Sequence, residues 1–491
     1  MTQAVAYSST IVGVEAIGVE VQTDVASGLP AFTIVGLGDA AVLEARDRVR
    51  AALRASGFDF PNARVTVNLA PAPVRKHGTG FDLPIALGVL AATGQVPRAL
   101  LELSAVGELG LDGSVRPVPG LLAHAIAAAR DGRALLVSAD AVKGLAGVDG
   151  GRFCPASTLG ALRAGVPSEA AAMAFAVSHP PGEGPDLGEV RGQALAKRAL
   201  EIAAVGGLGL LFVGPPGSAK TMLARRLPSI LPPLSAAEAL ESAVVHSVAG
   251  LDVTDVLGGV RPFRAPHHTA TTAGLVGGGT PPRPGEASLA HNGVLFLDEL
   301  PEFSPAALQA LRQPLEDGYL TLVRAEGRVR YPARFALVAA MNPCPCGYLG
   351  DSVRPCTCAP AAVERYRARI GGPLMDRIDM VMCVERTDTS RLLADRADEP
   401  SAVVRARVDR ALAHAGSRGP AREASGAALL RACRLDAAAR LAVESAARTH
   451  RLSGRGVTRL LRVALAISDL AAADRVTSEH VLEASAYRAM S

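Results

Sequence analysis

The stretch Leu208-Gly-Leu-Leu-Phe-Val213, Gly214-Pro215-Pro216-Gly217-Ser218-Ala219-Lys220-Thr221, Met222-Leu-Ala-Arg-Arg226 constrains this chain more than any other. It predicts a buried strand, a glycine-rich turn and the start of a helix. Backbone N–H groups of such a turn point at phosphate oxygens, and the helix N-terminus adds positive potential. Lys220 would then reach the β- and γ-phosphates, and the Thr221 hydroxyl would hold Mg²⁺. The usual second glycine of this pattern is Ala219, which a helical backbone angle would accommodate.

A second apolar run, Gly293-Val-Leu-Phe-Leu-Asp-Glu299, reads as a strand ending in adjacent carboxylates. Asp298 suits a hold on Mg²⁺, and Glu299 suits the orientation of an attacking water. Two such elements, in order and each on an expected strand, imply that the chain binds and hydrolyses a nucleoside triphosphate.

A length of 491 residues allows about three domains. The net charge of +4 permits a nucleic-acid partner without demanding one. No N-terminal stretch has a basic flank before an apolar core, and no apolar run is long enough to span a bilayer. These readings favour a cytoplasmic protein without a membrane partner. Four of the seven cysteines fall between 344 and 358, which fits a metal site in a reducing compartment better than a disulfide framework.

Residues 1–165 alternate β-rich runs (Ala31–Val35, Arg64–Leu69, Ala134–Val137) with helical ones (Ala41–Ala55, Leu83–Ala92, Leu121–Ala129), predicting one α/β domain. Residues 166–186, dense in Pro and Gly, read as a linker. Residues 187–386 hold both nucleotide motifs on an α/β core. Residues 387–491 turn helical, with apolar positions at Leu441, Ala442, Leu452, Leu460, Leu461, Val463 and Leu465, and read as a lid.

At Gly214–Thr221, Val294–Glu299 and Ala340-Met-Asn-Pro343 the chain resembles AAA+ ATPases of the magnesium-chelatase-like branch, more narrowly the ComM/YifB family. Further matching stretches are Phe263-Arg-Ala-Pro-His-His268, Ser288-Leu-Ala-His-Asn-Gly293 and Gly372-Pro-Leu-Met-Asp-Arg-Ile-Asp379. The resemblance implies a Lon-protease-like α/β domain at the N-terminus, an AAA+ P-loop core with a parallel sheet, and a C-terminal helical lid. It implies that Asn342 is the sensor that helps orient the lytic water. Arg377 would be an arginine finger pointing outward at a neighbouring subunit's γ-phosphate, and Arg455 a second sensor on the lid, with Arg459 and Arg462 competing for that role. Added guanidinium groups stabilise the charge spread over a transferring phosphoryl group. The cofactors implied are ATP and Mg²⁺. The implied assembly is a homo-hexamer and the implied partner single-stranded or branched DNA, worked on by a helicase or branch-migration motor. A metal-insertion motor and a remodelling chaperone are the alternatives.

Two segments suggest substrate contacts. Thr269–Pro284 reads as an inserted loop facing a central pore. In Leu320–Pro332, Arg324, Arg328 and Arg330 alternate as on a hairpin, with Arg328 and Arg330 on one face and no aromatic platform beside them. Cys344, Cys346, Cys356 and Cys358 form two Cys-x-Cys pairs that suit tetrahedral zinc, with free thiols or a redox pair as the alternative. Cys154, Cys383 and Cys433 read as buried small hydrophobes. In the N-terminal domain the nucleophile slot of Lon-type proteases falls near Gly80-Phe81 and the base slot on Leu122, so amide hydrolysis lacks its attacking group. Arg75, Lys76 and His77 make a basic stretch, either a DNA contact or a solvated edge.

Overall fold

The computed structural model describes residues 2–171, 184–324, 327–387 and 398–488. Residues 172–183 of the expected linker lie outside that description.

The N-terminal part is built on an eight-stranded mixed sheet. Its centre is a long antiparallel hairpin, Thr2–Val12 with Glu15–Ala26, that local patterning had not marked as strands. Strands Ala31–Val35, Arg64–Ala70 and Leu135–Ser138 and helices Ala40–Ala55, Asp82–Ala92 and Leu121–Arg130 form where the periodicity predicts them. Helix Asp82–Ala92 is buried along its whole length, which its unbroken apolar run requires.

Lys76 is neither an exposed contact nor a solvated edge. Its side chain is fully buried, its amine donates to the carbonyl of Pro71, and burial lowers its pKa. Leu122, in the slot of the protease base, is also buried. It lies in a cluster shared with Leu234, Ala239, Ala243 and Val244, so this helix packs on helix Ala236–Val248 of the following region. Gly120 N donates to Ser247 O at 2.7 Å across the same contact. The helix face that carries Leu122 is therefore covered by helix Ala236–Val248.

The second region carries a five-stranded parallel sheet in the order Phe263–Arg264, Val294–Leu297, Ala336–Met341, Leu210–Val213, Met380–Cys383. All residues of the three central strands are buried, as expected where both faces are covered. Two apolar clusters flank it. One is shared with the C-terminal helices through Leu460, Val463, Ala464 and Ile467, and the other lies around Phe303, Leu308 and Leu311. Residues 398–488 are helical, and helix Gly454–Leu470 buries the stripe that its spacing predicts. Leu441 is the exception, at 63% exposure. Cys383 also departs from expectation: it ends an edge strand and is exposed, whereas Cys154 and Cys433 are buried.

The segment Thr269–Pro284 is a packed insert. It contains helix Thr272–Val276 and a bridge between Gly278 and Arg283, and its Leu275 is fully buried. Strands Tyr319–Arg324 and Gly327–Pro332 form the expected antiparallel hairpin. Thr321 faces Arg330 and Val323 faces Arg328, so the two arginines share one exposed face. The opposite face buries Leu320 and Tyr331. An aromatic ring does accompany the arginines: the Arg330 guanidinium lies 3.4 Å from the Tyr319 ring centroid. Gly13, at the turn of the N-terminal hairpin, nests against this element. A Cβ there would come within 2.8 Å of Val329 Cγ1 and 3.2 Å of Arg330 O.

Candidate nucleotide site

The phosphate-loop turn leaves the carboxyl end of Leu210–Val213 and enters a short helix at Lys220–Ala224. Carboxyl ends of parallel strands are where open α/β sheets bind ligands. Gly214 is required by a close approach, since a Cβ there would meet Val384 O at 2.1 Å. Ser218 Oγ closes the turn by donating to Pro215 O at 2.9 Å. Gly217 has φ +78° and Ala219 has φ +65°. Ala219 is therefore left-handed rather than helical, a conformation that costs an L-residue about 1–2 kcal/mol relative to glycine.

The Lys220 amine is folded into this turn. It donates to Gly214 O at 2.6 Å, Pro215 O at 2.9 Å and Asn342 Oδ1 at 3.3 Å. Burial pulls its pKa down to about 8, with Asp298 opposing. A phosphate would supply the counter-charge that the loop carbonyls only partly replace.

Thr221 Oγ1 donates to Asp298 Oδ2 at 2.7 Å. The hydroxyl and the carboxylate expected to flank Mg²⁺ thus meet, although one comes from the loop and the other from a different strand. Both are hard oxygen donors of the kind that Mg²⁺ takes. Glu299 follows with φ +52°, and its N–H donates to Asp298 Oδ1 at 2.9 Å. Sequence reasoning gave no role to His268, whose Nδ1 lies 3.0 Å from Glu299 Oε2. The signal available was the His267-His268 pair just after the strand that flanks the carboxylate strand.

The cysteines adjoin this site. Cys344, Cys346, Cys356 and Cys358 have Sγ atoms that all lie within 4.8 Å of one another, with Cys344–Cys346 at 3.4 Å and Cys344–Cys356 and Cys346–Cys356 at 3.6 Å. Four thiolates about 2.3 Å from a tetrahedral zinc would stand roughly 3.8 Å apart, so the cluster fits that ion. The cysteine loop begins directly after Asn342. Its Gly347 would place a Cβ 2.8 Å from Pro216 and 3.8 Å from Asn342 Cγ.

Arg377 and Arg455 lie elsewhere. The Arg377 carbonyl packs on Gly209, at the start of the strand whose far end carries the phosphate loop. Its guanidinium is folded back and pairs with Glu316 and with Pro373 O (2.5 Å), instead of projecting outward. Arg455, 66% exposed, comes within 4.0 Å of Asp376 beside it. The competitors are occupied: Arg459 donates to Met375 O and Ile378 O at 2.8 Å, and Arg462 to Ala424 O at 3.1 Å.

The protein is similar along its whole length to known sequences. It is 42% identical over 499 residues to the uncharacterized protein YifB of Salmonella typhimurium, covering 100% of this chain and 98% of that protein. It is 41% identical over 512 residues to the competence protein ComM of Haemophilus influenzae, with the same coverage of each. The chain belongs to the ComM/YifB family of magnesium-chelatase-like proteins. The families described as "Subunit ChlI of Mg-chelatase", "Magnesium chelatase, subunit ChlI" and "Magnesium chelatase, subunit ChlI C-terminal" match residues 21–141, 186–392 and 398–488 in turn. The mixed α/β fold agrees with an AAA+ magnesium-chelatase-like layout. Among the described residues no helix is long and apolar enough to cross a membrane.

Proposed function

We propose that this ComM/YifB-family chain is an Mg²⁺-dependent ATPase that works in a homo-hexameric ring as a DNA motor, unwinding or branch-migrating recombination intermediates. The observation that carries the ATPase reading is the convergence of Lys220, Thr221, Asp298 and Asn342 at one end of the parallel sheet. Lys220 neutralises phosphate charge. Thr221 and Asp298 would hold Mg²⁺, which would supply electrostatic stabilisation of the phosphates. Glu299 polarises the attacking water, and Asn342 orients it. The zinc cluster would fix the turn that follows Asn342.

The positions of two arginines support the ring reading. The strand Leu210–Val213 spans roughly 13 Å at a rise of about 3.3 Å per residue, and Arg377 and Arg455 sit at the opposite end from their own phosphate loop. They suit a neighbour's nucleotide better. The DNA reading rests on the exposed Arg328/Arg330 face and on the name of the competence protein among the relatives. The magnesium-chelatase family names support a second reading, a motor that drives metal insertion into a porphyrin. ATPase rates measured alone, with single strands, duplex, a four-way junction, and a porphyrin with its partner subunits separate the two. Stimulation by DNA alone is expected; stimulation by the porphyrin system alone would overturn the DNA reading.

A further inference from the structure

The mixed sheet of the N-terminal region ends at strand Ala31–Val35, which pairs in parallel with Arg64–Ala70 on one side only. Ala31 N donates to Ala63 O at 3.3 Å, so by alternation the backbone N–H and C=O groups of Phe32 and Ile34 point off the sheet. Natural edge strands are blunted by charges, prolines, bulges or a covering element. This one has no such protection. Ala-Phe-Thr-Ile-Val carries neither charge nor proline, its register runs without a bulge, and its exposed side chains are Thr33 and Val35. The contact with helix Ala236–Val248 is made by helix Leu121–Arg130, so among the described residues nothing completes the ladder.

The two ends of this edge differ in chemistry. At its start, Arg64 is the register partner of Ala31. The Arg50 guanidinium lies 5.0 Å from the Phe60 ring centroid, which is 5.2 Å from that of Phe32. Among the described residues neither arginine makes an ion pair, although Asp47 and Asp59 stand close by in the sequence. At the far end Val35, Leu37 and Leu43 expose apolar side chains, as Leu29 does just ahead of the strand. Leu37 is 60% exposed and left-handed at φ +57°, a conformation that L-residues avoid. Its backbone is pinned there: Lys76 N donates to Leu37 O at 3.1 Å, and Asp39 N to Lys76 O at 3.0 Å. The fold holds a leucine out in water beside an open strand edge.

We propose that this edge receives an extended segment of a partner protein as an added strand. The segment would be acidic where it passes Arg50 and Arg64 and apolar where it passes Val35 and Leu37. Main-chain bonds to Phe32 and Ile34 supply affinity, and the flanking side chains supply selectivity. A phosphodiester strand suits the arginines but not the paired amides and carbonyls of a strand edge or an exposed leucine. The surface lies apart from the nucleotide site and adds recruitment to the motor.

The test measures binding of a short labelled peptide, half acidic and half Val/Thr/Ile, to the full chain by fluorescence anisotropy, with the sequence written in both directions. One of the two should bind. N-methylation of alternate amides in that peptide should weaken it about tenfold or more, the weight of two main-chain hydrogen bonds. Arg50→Glu/Arg64→Glu should cost about tenfold, less as salt rises, while Arg50→Lys/Arg64→Lys stays near the parent. Leu37→Asn, which keeps the left-handed backbone, should cost about threefold or more. Melting temperatures and unstimulated ATPase rates should match the parent throughout. Equal binding of the plain and N-methylated peptides would overturn strand addition, and equal binding of a lysine-for-acid peptide would overturn the acidic partner. An oligonucleotide that displaces the peptide from the parent, and that Arg50→Glu/Arg64→Glu no longer binds, would give the patch to nucleic acid and overturn the proposal. So would a change in subunit number in Leu37→Asn with no peptide bound by the parent, which would make the edge a contact between copies.

Discussion

The two ends of the parallel sheet differ in what they lack. The carboxyl end gathers the phosphate loop, Asp298, Glu299 and Asn342, with the Lys220 ammonium bonded to loop carbonyls. The opposite end gathers arginines around a short acidic turn. Asp376 faces Arg455 and Arg459, and buried Asp379 is surrounded by Arg459, Arg462 and Arg488. Burial raises the Asp379 pKa even so, and lowers that of Arg488 to about 10. On the proposed reading, one end would bind phosphate without a transition-state arginine. The other would hold cationic groups remote from the phosphate loop of the same chain. A single chain would then carry two half-sites, which stacking copies head to tail would join.

Removing Arg377 should break this comparison most severely. Arg377→Ala should bind ATP nearly as well as the parent and hydrolyse it about 10³-fold more slowly, the scale of a lost arginine finger. Mixing it with Lys220→Ala, itself unable to hold the phosphates, should recover part of the activity at interfaces pairing an intact loop with an intact finger. Hydrolysis by Arg377→Ala at the parent rate, or full activity in a strictly monomeric parent, would mean that the two ends do not complement each other. Because Glu316 pairs with the guanidinium in the single chain, the proposed assembly would have to re-aim it.

The cysteine cluster sharpens the same contrast, since it braces only the carboxyl end. Purified protein should carry about one zinc per chain, lost on replacing Cys346 and Cys356. Because Gly347 packs on Pro216 and beside Asn342, metal loss should cut ATP turnover while leaving the surroundings of Arg455 folded. Elemental analysis paired with hydrolysis rates checks this. A metal-free protein with parent turnover would assign the thiols to another role.

What the sequence disclosed follows from the range of the forces involved. The phosphate loop is a local object, made by consecutive backbone amides, so Gly214–Thr221 names it directly. The helices and inner strands were legible for a similar reason, as one-dimensional periodicity. The hairpin Thr2–Ala26 was not, because Ser8, Ser9 and Thr10 are buried hydroxyl residues standing where apolar ones would have marked a strand. Ser9 finds a partner in His124 at 2.6 Å, 115 positions away, and burial takes that imidazole down to about 4. Pairings of this kind, like His268 with Glu299 or Arg377 with Glu316, depend on tertiary geometry that no local pattern encodes. The Arg330–Tyr319 stack needed the strand register. The handedness of Ala219 needed coordinates as well, since alanine ordinarily avoids the left-handed region and only its φ shows that it is used here.

That alanine supplies the smallest and most local test. Left-handed backbone costs alanine about 1–2 kcal/mol relative to glycine. Glycine in turn gives back about 0.4–1 kcal/mol through its freer unfolded chain. Ala219→Gly should therefore be mildly stabilising, raising the melting temperature by about 1–3 °C for a region of this size. The reverse change at Gly217, which shares the positive φ, should lower it by a similar amount, although its Cβ would meet nothing within 4 Å. Strain alone is read at Gly217, whereas at position 219 the gain is reduced by loss of the methyl group that packs against the apolar cluster. ATP should not erase the gain, since the loop needs the same turn to present its amides to phosphate. A melting temperature that falls in Ala219→Gly would mean that position 219 is right-handed in solution. The carboxyl end would then be less pre-formed than its hydrogen bonds indicate, and the contrast between a built end and a waiting end would weaken.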